Sequence, residues 1–396
     1  MTGHAAGFLG ARYAIAGVGE TDWSRESGRT PLTLAVQAAR AALADAGLAA
    51  SEVDGFLSYA ESDSADGLHV ASALGARPTY TAEIVGGGSS AEFLVATAAA
   101  AIQAGLCSSV LCYRAMNGRS GRRFGHQEQG DWSLESIYPF ASFLMPYGWT
   151  SPAQLYAMIA RRHMHQYGTT AEQLGQVALA CRAHANLNPR ALMSGRPLTM
   201  ADYLASPMIA DPFRLYDCCL ETDGAAACLV TSRERARDGR ARPVTILGAV
   251  GRSGAESVYH WGLPDITAAA GQHVAPTVFG MAGLSPRDVD VAGIYDCFTF
   301  TVVIQLEDYG FCKKGEGGPF VESGRIALGG ELPCNTAGGQ LSEAYTHGFN
   351  NLNEVVRQLR GDYAGSERQV PGAEVGLVTG WGGPEVAGAL LLGRAG

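Results

Sequence analysis

The feature that most constrains the fold is an order of elements that occurs twice along the chain. In the first half a strand predicted at 80–85 runs into three glycines at 86–88 and then into a helix, which ends before Gly105 and precedes a strand at 109–113. The last third repeats this order with a glycine turn at 335–339, a polar helix through Arg360, a strand at 374–378 and the Gly-Trp-Gly-Gly turn at 380–383. Such self-similarity predicts two related mixed α/β halves that share central helices.

Local signals mark the ends of several elements. Thr30 is placed to cap a helix that begins at Pro31 and ends before Gly47, and strands are predicted at 13–19, 55–59 and 386–392. Ser89 and Glu92 have the spacing of a capping box at the start of the helix after the glycines. A stretch rich in Arg, His, Pro and aromatic residues, with a predicted helix at 152–167, indicates an inserted cap at about 115–215. We therefore predict an N-terminal half at 1–240, containing this cap, and a C-terminal half at 241–396.

Composition restricts the classes of function. The 396 residues are 47% hydrophobic and 17% charged, which is typical of a globular protein, and the net charge of −9 argues against a nucleic-acid partner. No uncharged apolar run reaches about 18 residues, and the N-terminus lacks the features of a signal peptide, so we expect a cytoplasmic protein without a membrane span. Nine cysteines without a C-x-x-C pair suit a reducing compartment, and no histidine spacing indicates a metal site.

Several motifs together resemble the thiolase superfamily, and the resemblance covers nearly the whole chain. They are Glu-Thr-Asp-Gly-Ala-Ala-Ala at 221–227, Ile-Tyr-Asp-Cys-Phe-Thr at 294–299 with the helix predicted after it at 301–310, and Asn-Thr-Ala-Gly-Gly at 335–339 through Gly348. Within the superfamily they look like the sterol-carrier or lipid-transfer-protein branch. The resemblance implies an α/β fold of the thiolase type, with two related βαβαβαββ halves in a five-layer αβαβα arrangement and a dimer formed through the first half.

The sequence departs from a conventional thiolase at its reactive positions. Gly88-Ser89-Ser90 stands where the family has its nucleophilic cysteine, Tyr345 stands in place of a histidine, and the segment 379–382 lacks the second cysteine. Tyr295-Asp296 occupies the place of the usual asparagine-glutamate pair. Claisen chemistry through an acyl-enzyme needs a thiolate and a base, so conventional thiolase activity is disfavoured. We interpret Ser89 as a helix cap in preference to a nucleophile.

The two tyrosines resemble the site of the steroid side-chain-cleaving aldolases of this branch. That resemblance implies retro-aldol cleavage of a β-hydroxyacyl-CoA steroid to a ketosteroid and propionyl-CoA or acetyl-CoA, with Tyr295 and Tyr345 as the catalytic pair. Which tyrosine is the base stays open. His347 is a candidate to orient or charge-tune Tyr345, and backbone N–H groups of Gly382 and Gly383 are candidates to hold the enolate oxygen.

Further expectations concern binding. We assign substrate contacts to Ser89, Asp296 and Trp381. Four arginines could bind the CoA phosphates, lie on a solvated loop or form a subunit contact, and these alternatives stay open: Arg114, Arg119, Arg122 and Arg123. Four cap aromatics are candidates for a sterol pocket or a partner surface: Trp132, Tyr138, Trp149 and Tyr156. The family implies a small OB-fold, zinc-ribbon partner in a heterotetramer, with any zinc in the partner. We expect no cofactor, because CoA is part of the substrate.

Two other functions remain possible on the sequence. An acyltransferase would use Ser89 or a displaced cysteine, Cys297 or Cys334, as nucleophile, although Cys297 is better interpreted as a packed residue. A non-catalytic carrier would bind a lipid or acyl-CoA without turnover.

Overall fold

The computed structural model describes residues 11–60, 63–121, 123, 141–257 and 262–395. Its strands are β1 (Tyr13–Glu20), β2 (Gly55–Tyr59), β3 (Tyr80–Ile84), β4 (Ser109–Asn117), β5 (Met208–Ala210), β6 (Phe213–Arg214), β7 (Asp223–Ser232), β8 (Val244–Gly254), β9 (Val291–Gly293), β10 (Val375–Trp381) and β11 (Val386–Arg394).

Its helices are α1 (Pro31–Ala46), α2 (Gly67–Leu74), α3 (Ser90–Gln103), α4 (Ala141–Leu144), α5 (Pro152–Tyr167), α6 (Ala171–Asn186), α7 (Met200–Ala205), α8 (Arg233–Arg237), α9 (Gly271–Ala282), α10 (Thr299–Asp308), α11 (Gly317–Glu322), α12 (Gly339–Ser342) and α13 (Phe349–Arg360). Within these described ranges, no helix is both long enough and apolar enough to cross a bilayer.

The main sheet is made of two halves with the same strand order. Counted outward from the place where the halves meet, the order is β1-β7-β4-β2-β3 in the first half and β8-β11-β10-β9 in the second. The halves join through a short antiparallel pairing of β1 with β8. In the second half the position that matches β3 is held by a single parallel bridge between Ala292 and Cys334. The two halves are therefore related, as the internal repeat predicts.

Apolar packing arranges the elements in layers. Helices α3 and α13 share one buried cluster with strands of both halves, and so form the central layer. Helices α1 and α2 cover the other face of the first half, while α9 and α10 belong to the cluster on the second half. This is the five-layer α/β arrangement that the sequence predicts, and it brings the loops of both halves to the ends of α3 and α13.

Most predicted element ends agree with the structure. Thr30 Oγ1 accepts a hydrogen bond from the Thr33 amide at the start of α1, and the predicted helix at 152–167 is α5. Ser89 is the N-cap residue of α3, as its spacing from Glu92 predicts. The capping box itself is wrong, because the Ser89 side chain makes no capping hydrogen bond and neither Glu92 oxygen has a partner among the described residues. The helix predicted at 301–310 begins two residues earlier, and the polar helix through Arg360 begins only at Phe349.

The proposed division of the chain stays a prediction. Strand β4 continues to Asn117, past the predicted start of the cap, and β7 begins at Asp223, with helices α4 to α7 among the described residues between them. Of the four cap aromatics, Trp132 and Tyr138 lie outside the described residues. Trp149 is buried and Tyr156 packs beside Trp381, with ring centroids 6.1 Å apart.

Candidate active site

Two tyrosine hydroxyl groups form the centre of the candidate site. Tyr295 follows the end of β9 and Tyr345 lies in the loop between α12 and α13, yet their hydroxyl oxygens are 3.0 Å apart. The Tyr295 amide donates to Thr379 Oγ1 and the Tyr345 amide donates to Thr222 Oγ1, so hydrogen bonds from both halves fix the two backbones. The structure thus brings together the pair that the sequence singles out.

Burial keeps both phenols protonated. Desolvation raises the pKa of Tyr295 and of Tyr345 well above the usual value for tyrosine. For Tyr345, the hydrogen bond with Tyr295 and the charge of Arg114 oppose this rise. Tyr345 is also only half-buried, whereas Tyr295 is 2% exposed. Tyr345 is therefore the phenol that is both more accessible and nearer to a positive charge.

Glycines make room for the Tyr295 ring. A Cβ atom on Gly88 would lie 2.3 Å from Tyr295 Cζ and 2.1 Å from the Trp381 carbonyl oxygen. At Gly348 the backbone φ is +84°, and a Cβ there would lie 3.2 Å from Tyr295 Cδ2. The ring is therefore held between the triple glycine before α3 and the residue that precedes α13.

His347 lies beside the pair and is held as a neutral imidazole. Its ring centroid is 4.6 Å from that of Tyr345, and its Nδ1 accepts a hydrogen bond of 3.3 Å from Arg114 Nε. Burial, with Arg114 adding to the effect, lowers the pKa of His347 well below its ordinary value. A neutral imidazole whose Nδ1 accepts a hydrogen bond carries its proton on Nε2. His347 is therefore a donor through Nε2.

Arg114 is a member of this site that sequence reasoning did not place there. It stands on β4 with no exposed side-chain surface, and its guanidinium makes two hydrogen bonds to Asp63, of 2.8 and 2.6 Å. The same guanidinium lies 4.4 Å from the centroid of the Tyr59 ring. Because Arg114 is buried in this pair, it cannot meet a CoA phosphate at the surface.

The other arginines of the predicted cluster lie apart from it. Arg123 donates to Glu221 Oε2 at 2.6 Å, and the backbone amide of Arg119 donates to Asp223. Arg122 lies outside the described residues. No phosphate-binding role follows from these contacts.

Ser89 and Asp296 are both directed into the fold. Ser89 is completely buried, and its hydroxyl donates to the Gly86 carbonyl at 2.7 Å. Asp296 accepts hydrogen bonds from the amides of Gln340 and Leu341 and from Asn351 Nδ2, while burial raises its pKa. Their proposed contacts with substrate stay predictions, since both side chains already have partners within the protein.

The Gly-Trp-Gly-Gly segment at 380–383, which contains the end of β10 and the turn after it, closes one side of the site. The Trp381 amide donates to the Gly88 carbonyl at 3.1 Å, so this turn is tied to the triple glycine before α3. The Gly382 amide donates to the Val386 carbonyl at 2.9 Å. Gly383 has a φ of +107°, and the Glu385 carboxyl, whose pKa burial raises to about 7, lies against it. Of the two predicted enolate donors, Gly382 is therefore already bonded within the turn.

A buried carboxyl group adjoins the same turn. Glu92 on α3 has no exposed surface, and neither of its side-chain oxygens has a hydrogen-bond partner among the described residues. A Cβ atom on Gly380 would lie 2.2 Å from Glu92 Oε2 and 2.6 Å from Ser89 Cα. Desolvation raises the pKa of Glu92 to about 8, so this carboxyl is largely protonated at neutral pH.

The cysteines have the properties of packed residues. Cys297 and Cys334 are buried, and desolvation raises the pKa of each thiol above its usual range. Neither therefore has the lowered pKa of a reactive thiolate. Within the described part of the chain, no group of three or more His, Cys, Asp or Glu side chains is arranged to hold a metal ion.

Known proteins resemble this chain over its whole length. A family model described as thiolase C-terminal domain-like matches residues 253–393. The chain is 44% identical over 393 residues to the 17-hydroxy-3-oxo-4-pregnene-20-carboxyl-CoA lyase of Mycobacterium tuberculosis, which covers 97% of this chain and 100% of that protein. It is 42% identical over 388 residues to the steroid side-chain-cleaving aldolase of Thermomonospora curvata, with 96% and 97% of the two chains covered.

A solved structure shows the same fold. It is described as an Ltp2–ChsH2(DUF35) aldolase, and it matches with a TM-score of 0.89 and 40% identity over 98% of this chain and 99% of that one. The match confirms the fold class predicted from the sequence. The description of that structure also names a DUF35 protein.

Proposed function

Because the chain belongs to the lipid-transfer-protein branch of the thiolase superfamily, together with the steroid side-chain-cleaving aldolases, we propose that it cleaves a β-hydroxyacyl-CoA steroid side chain by a retro-aldol reaction. The products are a ketosteroid and a short acyl-CoA, either propionyl-CoA or acetyl-CoA. The observation that carries the proposal is the pair of hydrogen-bonded phenols, Tyr295 and Tyr345, in a site where desolvation raises the thiol pKa values of the adjacent Cys219 and Cys297. A retro-aldol step needs proton transfer and no nucleophile.

The tyrosine pair acts on the β-hydroxyl group of the substrate. Tyr345 is the more accessible phenol. After it has released its own proton to solvent, its phenolate oxygen takes the hydroxyl proton of the substrate as the bond between Cα and Cβ breaks. Once Tyr345 is a phenolate, Tyr295 is the donor of the hydrogen bond between the two oxygens, and this bond stabilises the negative charge of Tyr345 until it takes the proton. The electrons of the broken bond move to the thioester, which becomes an enolate, and Cβ becomes the ketone carbon.

The neutral His347 and the charged Arg114 support Tyr345 from behind. Arg114 lowers the pKa of Tyr345 through its charge, against the larger effect of burial, and fixes the proton of His347 on Nε2. The enolate oxygen would be held by backbone N–H groups of the turn after β10. We retain Gly383 as the proposed donor, whereas Gly382 would first have to exchange its hydrogen bond with Val386.

We also propose a small OB-fold, zinc-ribbon partner of the DUF35 class, in a heterotetramer built on a homodimer of this chain. The likeness to an Ltp2–ChsH2(DUF35) aldolase over 98% of the chain supports the partner class. We place the protein in the cytoplasm, with no cofactor of its own and with any zinc in the partner.

The two alternative functions have less support. An acyltransferase would need a reactive nucleophile, but Ser89 donates to Gly86 and desolvation raises the pKa of both Cys297 and Cys334. A carrier would not need two phenols joined in the site. To test the proposal, the chain is co-expressed with its DUF35-class partner and incubated with a β-hydroxy steroid side-chain CoA thioester. Formation of ketosteroid and short acyl-CoA supports the aldolase, and tight binding without products supports the carrier.

A further inference from the structure

The proposed cleavage leaves a thioester enolate that must receive a proton at Cα. The phenol that removes the hydroxyl proton faces the oxygen on Cβ. A separate acid that faces Cα, the carbon side of the broken bond, would complete the reaction without waiting for solvent. The Tyr295 ring lies against Gly88 and Gly348. An acid for the carbon side would have to lie beyond the paired segments at Gly88 and Trp381.

Glu92 is such a group. Its carboxyl projects from the first turn of α3 toward Gly380 of β10. A Cβ on residue 380 would lie 2.2 Å from Glu92 Oε2, so only glycine at this position leaves space for the carboxyl. The residue before Ser89 is Gly88, against which the Tyr295 ring lies, and the residue after Gly380 is Trp381, which pairs with Gly88. The Tyr295 ring therefore lies at the pair formed by Gly88 and Trp381, and the Glu92 carboxyl lies at Gly380, the residue immediately before Trp381.

The surroundings of Glu92 lack the groups that would explain a structural carboxyl. Both oxygens are buried without a hydrogen-bond partner among the described residues, although a buried polar group normally has one. Tyr309 is a nearby phenol whose pKa is raised by desolvation and by the charge of Glu92. Its hydroxyl donates a hydrogen bond to the Gly388 carbonyl at 3.0 Å and not to Glu92. A costly, unpartnered acid beside a reactive site is typical of a functional group.

We propose that Glu92 is the general acid that protonates Cα of the enolate. This inference rests on the proposed retro-aldol function and adds a residue to it. The Glu92 O–H bond breaks, its proton forms the new C–H bond at Cα using the electron pair of the enolate, and the thioester carbonyl is restored. Glu92 is left as a carboxylate and takes up a proton from water after the acyl-CoA leaves, while the hydroxyl proton held by the tyrosine pair is returned to solvent.

The test uses the complex of the chain with its partner in deuterated water. With a substrate that releases propionyl-CoA, the wild-type protein is expected to place one deuterium on a single face of Cα. Glu92→Gln keeps the size and neutral charge of the acid but cannot transfer its proton. It is expected to form ketosteroid in the first turnover while deuterium appears on both faces. Glu83→Gln, at an exposed position on β3, is the matched control and should keep the wild-type selectivity.

A second measurement does not depend on cleavage. The wild-type complex is incubated with propionyl-CoA alone in deuterated water, and exchange of its Cα protons is followed by mass spectrometry. Because the acid must act as a base in reverse, Glu92→Gln is expected to slow this exchange by roughly 10²-fold or more. Failure of wild-type cleavage would count against the proposed function, and the exchange result would still stand.

Any one of three results would overturn the proposed role of Glu92. These are single-face deuteration in Glu92→Gln, unchanged exchange into propionyl-CoA in that variant, or equal deuteration of both faces by the wild-type protein. A folded Glu92→Gln protein that no longer breaks the bond between Cα and Cβ would also contradict a role that begins after cleavage.

Discussion

The hydroxyl oxygens of Tyr295 and Tyr345 lie 3.0 Å apart, although the two residues are separated by 50 positions and belong to different loops. One loop follows β9 and the other precedes α13, so the pairing depends on the assembled second half. A single hydrogen bond joins the two phenols, which means that neither can change its protonation without an effect on the other. The account of the reaction depends on this relationship.

The first prediction concerns the pair itself. Tyr345→Phe and Tyr295→Phe each remove one hydroxyl group and are expected to lower kcat by roughly 10² to 10⁴-fold. Because the two phenols act as a unit, the double variant should be little slower than the slower single variant. Steady-state rates of ketosteroid formation measure this. Tyr147→Phe, at a side chain that is 90% exposed, is the control and should be unaffected. Independent, multiplicative losses in the double variant would show that the phenols do not work together.

The second prediction concerns the buried ion pair behind His347. Arg114→Met removes the buried guanidinium that pairs with the Asp63 carboxylate, and we expect a loss of about 3–5 kcal/mol in the free energy of unfolding. Combining it with Asp63→Asn removes both charges and should recover part of that loss. Urea unfolding measures all three variants. Arg123→Met breaks a more exposed pair with Glu221 and should cost about 0–1 kcal/mol. Additive losses in the Arg114 and Asp63 double variant would contradict the pairing.

The third prediction concerns the pH dependence of stability that Glu92 causes. Burial raises its pKa from 4.5 to about 8, so between these values the folded chain binds more protons than the unfolded chain. The contribution of this group to stability is therefore full below about pH 4.5 and is lost as the pH rises toward 8. Glu92→Gln cannot ionise. We expect it to equal the wild-type protein in stability near pH 5 and to exceed it at pH 8 by an amount on the order of a few kcal/mol.

Chemical denaturation of both proteins at several pH values checks this sign. Glu83→Gln serves again as the exposed control and should follow the wild-type curve. If Glu92→Gln is less stable than the wild-type protein at pH 8, the Glu92 carboxyl has a stabilising partner and is not the neutral, desolvated acid described above.

The fourth prediction separates the aldolase from an acyltransferase. Cys297 and Cys334 are buried, Cys219 beside Tyr345 is half-buried, and desolvation raises the thiol pKa of all three, so brief treatment with iodoacetamide should leave the activity of the folded protein intact. Cys297→Ala should retain activity within a few-fold. Intact-mass analysis shows how many thiols have reacted at each activity measurement. Loss of activity in step with modification of a single cysteine would favour the acyltransferase.

Local signals were enough to predict many of the elements. Thr30 with Pro31 predicted the start of α1, and the helix predicted at 152–167 is α5, because helix signals act within a few residues. The tyrosine pair could be predicted because family motifs align both residues with known reactive positions. The fold class followed from the internal repeat and from the same resemblance.

What could not be predicted depends on contacts between distant segments. Arg114 and His347 meet across 233 positions, and no periodicity in either segment indicates that contact. Glu92 was misinterpreted as part of a capping box, because its spacing from Ser89 fits that motif, whereas the structure turns its carboxyl toward Gly380. The positive φ of His347, +52°, could not be predicted either, because glycine is the residue that usually adopts such a φ and a glycine follows His347 directly.

The central claim is that the chain breaks the bond between Cα and Cβ by proton transfer, without an acyl-enzyme. A thiolase-type transfer needs free CoA to accept the acyl group, whereas a retro-aldol cleavage releases the acyl group already attached to its own CoA. The most direct measurement is therefore a product assay with the partner complex after all free CoA has been removed, with the intact mass of the protein followed during turnover. We predict equal amounts of ketosteroid and short acyl-CoA at the full rate and no mass adduct on the protein. A requirement for added CoA together with an acyl adduct would contradict the account.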